Sequence, residues 1–279
     1  MLTEGHGIYL VSITTARGVT YTFDGKTQLT LTAGTALPDT RVTNSAKPLQ
    51  NYSYVEYRTL APRKLTGRLQ VKGRDQFDVW VKRQEMLRLF NPLYGPFTFN
   101  LAYPDKNDVF HLYNVILTDA MDSPLNVKSD PTYAEFPLTL TALDPFWYGA
   151  SHSTTLDIGY NELTIAEGTA WLKPIVSAQG PVTDLTITNT IWDYEAPFIL
   201  HVYGTIPAGD AVIIDCRQRS VSRASGALVA LSHESTLASF GLIPASMGAK
   251  GLNRITVSSS DMNEGFQVTV DWQDTYYAI

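Results

Sequence analysis

The stretch FQVTVDWQ, residues 266–273, alternates without a break: Phe266, Val268, Val270 and Trp272 against Gln267, Thr269, Asp271 and Gln273. Successive side chains of a strand point to opposite faces, so a period of two predicts a strand with one buried and one wet face. The same period returns along the chain. RKLTGRLQVKG (63–73) places Leu65, Leu69 and Val71 on odd positions, and Gly67 predicts a bulge there. VTYTFDGKTQLTL (19–31) predicts a bulged hairpin turning at Gly25, with Val19 opposite Leu29 on one apolar face. VFHLYNVILTDA and AEFPLTLTAL supply two further strands. Beyond Gly149 the runs DLTITN, FILHVYG, DAVIIDC and NRITVSS are short strands separated by Gly, Pro and Asn, a pattern that predicts a β-sandwich or jelly roll.

Two segments break this pattern. Residues 33–54 carry two prolines, a glycine and many small polar residues, and read as a long excursion from the sheet; a loop of that length is functional or mobile. DQFDVWVKRQEMLRLF (75–90) predicts one helix, with Asp75 as N-cap, Asp78 in the first turn and Asn91-Pro92 as the stop. Phe77, Trp80, Val81, Leu87 and Phe90 define its expected apolar face.

LTALDPFWYG (140–149) lies between an all-β unit with one helix and a purely β unit. Pro145 and Gly149 predict a sharp bend, and Asp144, Pro145, Phe146, Trp147 and Tyr148 form the expected interdomain junction. Aromatics of this size bury on the order of 150–250 Å² each, enough to wedge two units at a fixed angle. The other reading is that they are core aromatics of a single domain. The expected organisation is mainly β, with units at 1–149 and 150–279.

Composition excludes several classes. The chain has 279 residues, 44% of them hydrophobic and 17% charged, which fits a folded protein with a sizeable core. A net charge of −6 argues against general nucleic-acid binding. Cys216 is the only cysteine, so no intrachain disulfide forms, and it reads as a small buried hydrophobe. The N-terminus lacks the basic and apolar regions of a signal peptide, and no run approaches the ~18 apolar residues of a membrane span.

Catalytic signals are absent from the sequence. DGKT (24–27) imitates the end of a phosphate loop, but Thr20 stands where its first glycine belongs. His6, His111, His152, His201 and His233 are dispersed without metal-ligand spacing, and His111 and His201 lie within strands as partly buried, hydrogen-bonded residues. Ser232-His233-Glu234 holds triad letters, but a triad is a spatial arrangement. The expectation is no enzyme, no cofactor and no metal. A carboxylate pair of a glycoside hydrolase remains one reading of the 27 acidic residues. A sugar-binding module is another, with Trp171, Trp192 and Tyr194 as its platform.

Three features together resemble the distal tail (Dit) family of long-tailed phages with non-contractile tails. They are the N-terminal order of hairpin, long loop, RKLTGRLQVKG strand, RQEMLRLFNP helix and returning strands; the junction TALDPFWYG; and the C-terminal series KPIVSAQGPVTDLTITN, IPAGDAVIIDCRQRSV and LIPASMGAKGLNRITV. In the last of these Ala249 and Lys250 are inserted relative to the family's pattern. The resemblance implies an N-terminal tail-tube-like β-sandwich or barrel with one helix, and a C-terminal galectin-like or carbohydrate-module-like β-sandwich. It implies a homo-hexameric ring at the virion tail tip, assembled in the host cytoplasm. Its partners would be the tail tube protein, the tail-tip hub protein (the tail-associated lysin or fibre hub), and the tape-measure protein or receptor-binding fibres. DNA would pass through the lumen without specific binding. No inserted receptor-binding domain is visible in 150–279. Asp39, Arg41 and Lys47 of the long loop, with Arg83 and Arg88 of the helix, are the expected interface residues.

Overall fold

The computed structural model describes residues 9–46, 53–102, 109–118, 132–192, 194, 196–262 and 265–279. The chain divides into two units, Met1–Tyr148 with Tyr277–Ile279, and Gly149–Tyr276. The fold is mainly β, with one α-helix among the described residues.

The first unit contains strands β1 (Tyr9–Thr14), β2 (Thr20–Thr22), β3 (Thr27–Ala33), β4 (Thr40–Ala46), β5 (Ser53–Leu60) and β6 (Arg63–Lys72). Helix α1 (Gln76–Leu89), β7 (Phe97–Ala102), β8 (Val109–Leu117) and β9 (Tyr133–Ala142) follow. Antiparallel pairing runs β1–β7–β8–β9–β6–β3 and returns from β3 to β1. Six strands thus close a barrel, and closure leaves no long edge to aggregate. Alternation fills the interior: Leu29, Leu65, Leu69, Val71, Phe97, Phe99, Leu112, Val115, Phe136 and Leu140 are all buried.

Several local expectations are corrected. The hairpin does not form between Val19 and Leu29. β2 pairs with β1, Ile13 opposite Tyr21, through a turn at Gly18, whereas β3 pairs with β1 and β6. Gly25 does adopt φ +77°, but within a connection capped by the Asp24 carboxylate, which accepts from the N–H of Lys26 and of Thr27. The expected bulge lies in β3, where the register shifts between Leu31 and Ala33 opposite Gly67 and Thr66. Gly67 is required for a different reason: a Cβ there would lie 2.8 Å from the Thr30 carbonyl. The segment 33–54, read as a long loop, contains β4 and the start of β5, which pair as a two-stranded antiparallel sheet apart from the barrel.

Helix α1 begins as expected, with the Asp75 carboxylate accepting from the Asp78 N–H at 2.8 Å. Its buried side matches the predicted face only at Phe90. Val79, Met86 and Phe90 are buried, and Arg83 completes the 4-3-4 spacing between them with its guanidinium 5.9 Å from the Phe136 ring centre. Phe77, Trp80 and Val81 are exposed.

The second unit takes β10 (Trp147–Leu156) from Gly149 onward. β11 (Gly159–Thr164), β12 (Ile175–Gln179), β13 (Val182–Thr190), β14 (Phe198–Ile206) and β15 (Ala211–Asp215) come next. β16 (Ser220–Arg223), β17 (Leu252–Ser258), β18 (Asp261–Met262) and β19 (Gln267–Tyr276) complete it. One sheet orders β16–β15–β12–β19–β10, the other β11–β17–β13–β14, with β18 on β13. Val176, Ala178, Ile187, Leu200, Val212, Ile214, Ile255, Val268 and Val270 pack between them as a β-sandwich core. Cys216 joins this core, and burial pushes its thiol up to about 12. Asn189 and Asn253, fully buried, are hydrogen-bonded to each other (3.1 Å) and to loop carbonyls at Gly241, Ile243 and Gly251.

Candidate functional site

The junction residues are organised by one side chain that lies outside the predicted set. Arg63 opens β6 at an inward position and is only 2% exposed. Its acceptors are main-chain carbonyls. Its Nε donates to the Pro145 carbonyl (2.8 Å), Nη1 to the carbonyls of Gly34 (2.6 Å) and Ala36, and Nη2 to that of Tyr277. The guanidinium also lies 5.2 Å from the Trp147 ring centre. Burial lowers its pKa to about 10, which keeps it a cation at neutral pH. One planar fork therefore ties three chain segments to β6, including the point where the chain leaves the first unit and the point where it returns.

Of the predicted junction residues, Pro145 and Trp147 meet this fork. Trp147 is fully buried. Asp144 caps the bend, accepting from the Phe146 N–H at 3.2 Å and the Tyr148 hydroxyl at 2.8 Å. Phe146 packs on Tyr277 with ring centres 5.5 Å apart, and Tyr148 on Tyr113 at 5.1 Å. Gly149 does not mark a break; β10 already starts at Trp147 and runs through it. Its small size matters because a Cβ would lie 3.1 Å from the Tyr276 ring.

The expected interface residues do not converge. Asp39 is exposed just before β4, and Arg41 sits in β4. Lys47 lies outside the described residues. Arg83 is turned inward on Phe136, and Arg88 is exposed in the last turn of α1, where a cation suits the helix dipole. The same helix presents a patch the sequence reading had assigned to the core: Phe77 and Trp80 stacked at 6.0 Å and 72% and 47% exposed, with Val81 beside them.

No group of three His, Cys, Asp or Glu side chains able to hold a metal occurs among the described residues. The histidines among the described residues stay dispersed. His111 Nδ1 lies 2.7 Å from Asn100 Oδ1, and burial lowers its pKa. His201 packs its ring against Tyr203 at 4.7 Å. His152 pairs with the buried Asp274 at 2.9 Å and lies nearly flat on Trp272, an arrangement that fixes β10 to β19 within the second unit. Of the three aromatics read as a sugar platform, Trp171 is edge-on to Tyr194 (5.1 Å) and Phe198 (5.5 Å), which makes those two contributors to one packed cluster. Trp192 is the most open of the three, 79% exposed against 40% for Tyr194. No helix among the described residues is long and apolar enough to cross a membrane.

No family model matches the chain, and no curated protein matches it in sequence. Among solved structures it aligns with the Dit protein of phage SPP1, described as a paradigm of the hub adsorption apparatus in phages that infect Gram-positive bacteria. That alignment has a TM-score of 0.63 and 12% identity, and covers 95% of this chain and 98% of that one. It also aligns with a chain of the phage p2 baseplate in its activated conformation with Sr, at a TM-score of 0.47 and 8% identity, over 95% and 97% of the two chains. The chain therefore has the fold of the SPP1 Dit protein.

Proposed function

We propose that this chain is a structural subunit of a phage tail, a distal tail protein that closes into a homo-hexameric ring between the tail tube and the tail-tip hub. Its barrel unit, Met1–Tyr148, would be the ring-forming part. The observation that carries this reading is the shared fold with SPP1 Dit along 95% of the chain. The tail tube protein, the hub protein, and the tape-measure protein or receptor-binding fibres are the partners such a position requires, and DNA would pass through the ring without specific binding.

Two features of the barrel unit support assembly with further copies of the chain. β4 and β5 pair only with each other among the described residues, and a two-stranded sheet alone is marginal in water. The Phe77–Trp80–Val81 patch of α1 exposes apolar surface that a neighbouring copy would cover. Ring closure needs such heterologous contacts, one surface of each copy meeting a different surface of the next.

Light scattering on the purified full chain tests the proposal. The expected mass is about six times the 30.9 kDa chain, rising to that value with concentration. The double variant Phe77→Ser, Trp80→Ser should shift the mass toward one chain without lowering the melting temperature. A strict monomer at all concentrations would refute the ring.

A further inference from the structure

A ring built from one kind of chain needs two different surfaces on every copy, and α1 offers one of them at its N-terminal end. Phe77 and Trp80 stack there with open aromatic faces, and Val81 extends the patch. Aromatic faces are electron-rich, so they attract cations as well as apolar groups. Asp75 stands beside them with an exposed carboxylate that spends one oxygen on the Asp78 N–H. The surface that covers this patch must therefore be apolar, carry a cation not yet paired with an acid, and lie well apart on the same chain.

The opposite end of α1 meets all three terms. A single 3-10 turn, Pro92–Tyr94, follows the helix. At 1.5 Å per residue it lies roughly 20 Å along the axis from Trp80. Leu93 on this turn is 85% exposed, the most open large apolar residue described in the first unit. The turn between β1 and β2 is tied to it. The Ala16 N–H donates to the Tyr94 carbonyl (3.4 Å), and the Arg17 guanidinium lies 5.5 Å from the Tyr94 ring centre. Val19 closes that second turn, its carbonyl accepting from the Thr15 N–H at 2.9 Å, and its side chain is 64% exposed. Arg17 has no carboxylate partner among the described residues. A guanidinium is planar with two faces, and Tyr94 occupies one of them.

We propose that the Val19–Leu93–Tyr94 end of one barrel unit docks on the Phe77–Trp80–Val81 end of the next copy, with Arg17 held between Tyr94 of its own chain and Trp80 of the neighbour. This rests on the ring reading and supplies its second surface. Repeated around the ring, the contact sets the α1 helices head to tail. The positive N-terminal end of each then faces the negative C-terminal end of the one before, the favourable order for helix dipoles.

Mixing two variants of the full chain tests it. Phe77→Ser, Trp80→Ser destroys the α1 patch, and Val19→Ser, Leu93→Ser destroys the proposed counterpart. All four side chains are exposed, so both variants should melt within a few degrees of the unaltered protein. By light scattering each variant alone should be a single chain at concentrations where the unaltered protein is a hexamer. An equimolar mixture should stop at two chains, because the intact patch of each fits the other and the resulting pair has only destroyed patches left to offer. Arg17→Gln should still form the hexamer but need at least about threefold more protein to do so. A hexamer in Val19→Ser, Leu93→Ser would overturn this inference and leave the ring standing, as would a mixture that stays as single chains. An unaltered protein that remains single, or that stops at two chains, would remove both.

Discussion

Two arginines in this protein lie over tryptophans at almost the same distance, 5.2 Å for Arg63 on Trp147 and 5.6 Å for Arg254 on Trp192. Their surroundings are opposite. Trp147 is fully buried and Arg63 is 2% exposed, with every nitrogen of its fork donating to a main-chain carbonyl. Trp192 is 79% exposed, and Arg254 has a single carboxylate at 3.8 Å. The same pair of side chains thus serves architecture in one unit and an open surface in the other. What separates them is the number of protein acceptors around the cation. A buried guanidinium with four of its five N–H donors on carbonyls has little left to offer a ligand, whereas one held only at 3.8 Å from a carboxylate at its Nε keeps an open edge.

The largest expected effect is at the buried pair. Arg63→Met preserves much of the stem's packing but leaves the carbonyls of Gly34, Ala36, Pro145 and Tyr277 without their donor. It should cost about 3 kcal/mol or more. Thermal melting should show a fall of roughly 6–12 °C. Arg63→Lys should be nearly as damaging, because one ammonium cannot span four carbonyls in a plane. A wild-type melting temperature in both variants would erase the contrast drawn between the two pairs.

A second, smaller effect concerns pH. Burial lowers the pKa of His111 from its ordinary 6.5, so the folded barrel binds that proton less readily than the unfolded chain. The stability this neutral histidine contributes is complete above 6.5 and declines as pH falls below it toward the folded value. Melting followed from neutral to mildly acidic pH should show that decline, and His111→Gln should flatten part of it. An unchanged slope in the variant would show that Asn100, its hydrogen-bond partner and itself held by Ser12, keeps the charged ring as well as the neutral one.

The smallest effect on stability belongs to the open pair. Trp192→Ala removes only a surface stack and should change stability by about 0.5 kcal/mol or less. A large destabilisation at Trp192 would mean that it is a packing residue after all, like Trp171 in its cluster with Tyr194 and Phe198.

The same contrast explains what sequence could reveal. Period-two alternation located β6, β13, β14, β15, β17 and β19, because each has one face on a core and one in water. Asp75 announced the start of α1, because a cap is a local hydrogen bond. Partner choice was not legible. Tyr21 and Leu29 alternate in one short stretch, yet β2 and β3 flank β1 separately, since a run of alternating residues does not state which strand it joins. β4 was hidden for a related reason: TRVTNSA has almost no apolar content to alternate. The helix face was misassigned because Arg83, counted as polar and outward, occupies the buried stripe by laying its guanidinium on Phe136. Arg63 itself was within reach. It continues the odd-numbered series of Leu65, Gly67, Leu69 and Val71, and a cation on the inward face of a strand demands buried acceptors. Its acceptors could not be found, because the Tyr277 carbonyl is 214 residues away. Trp192 was named as one of three platform aromatics, but only packing separates it from the two that contact each other edge-on.

The ring is the central claim, and direct imaging tests it most simply. Electron micrographs of the purified full chain at high concentration should show closed rings with six-fold symmetry, each with a central opening, and Phe77→Ser, Trp80→Ser should abolish them while Arg254→Gln leaves them intact. Fields of single, unassociated particles for the unaltered protein would contradict the account.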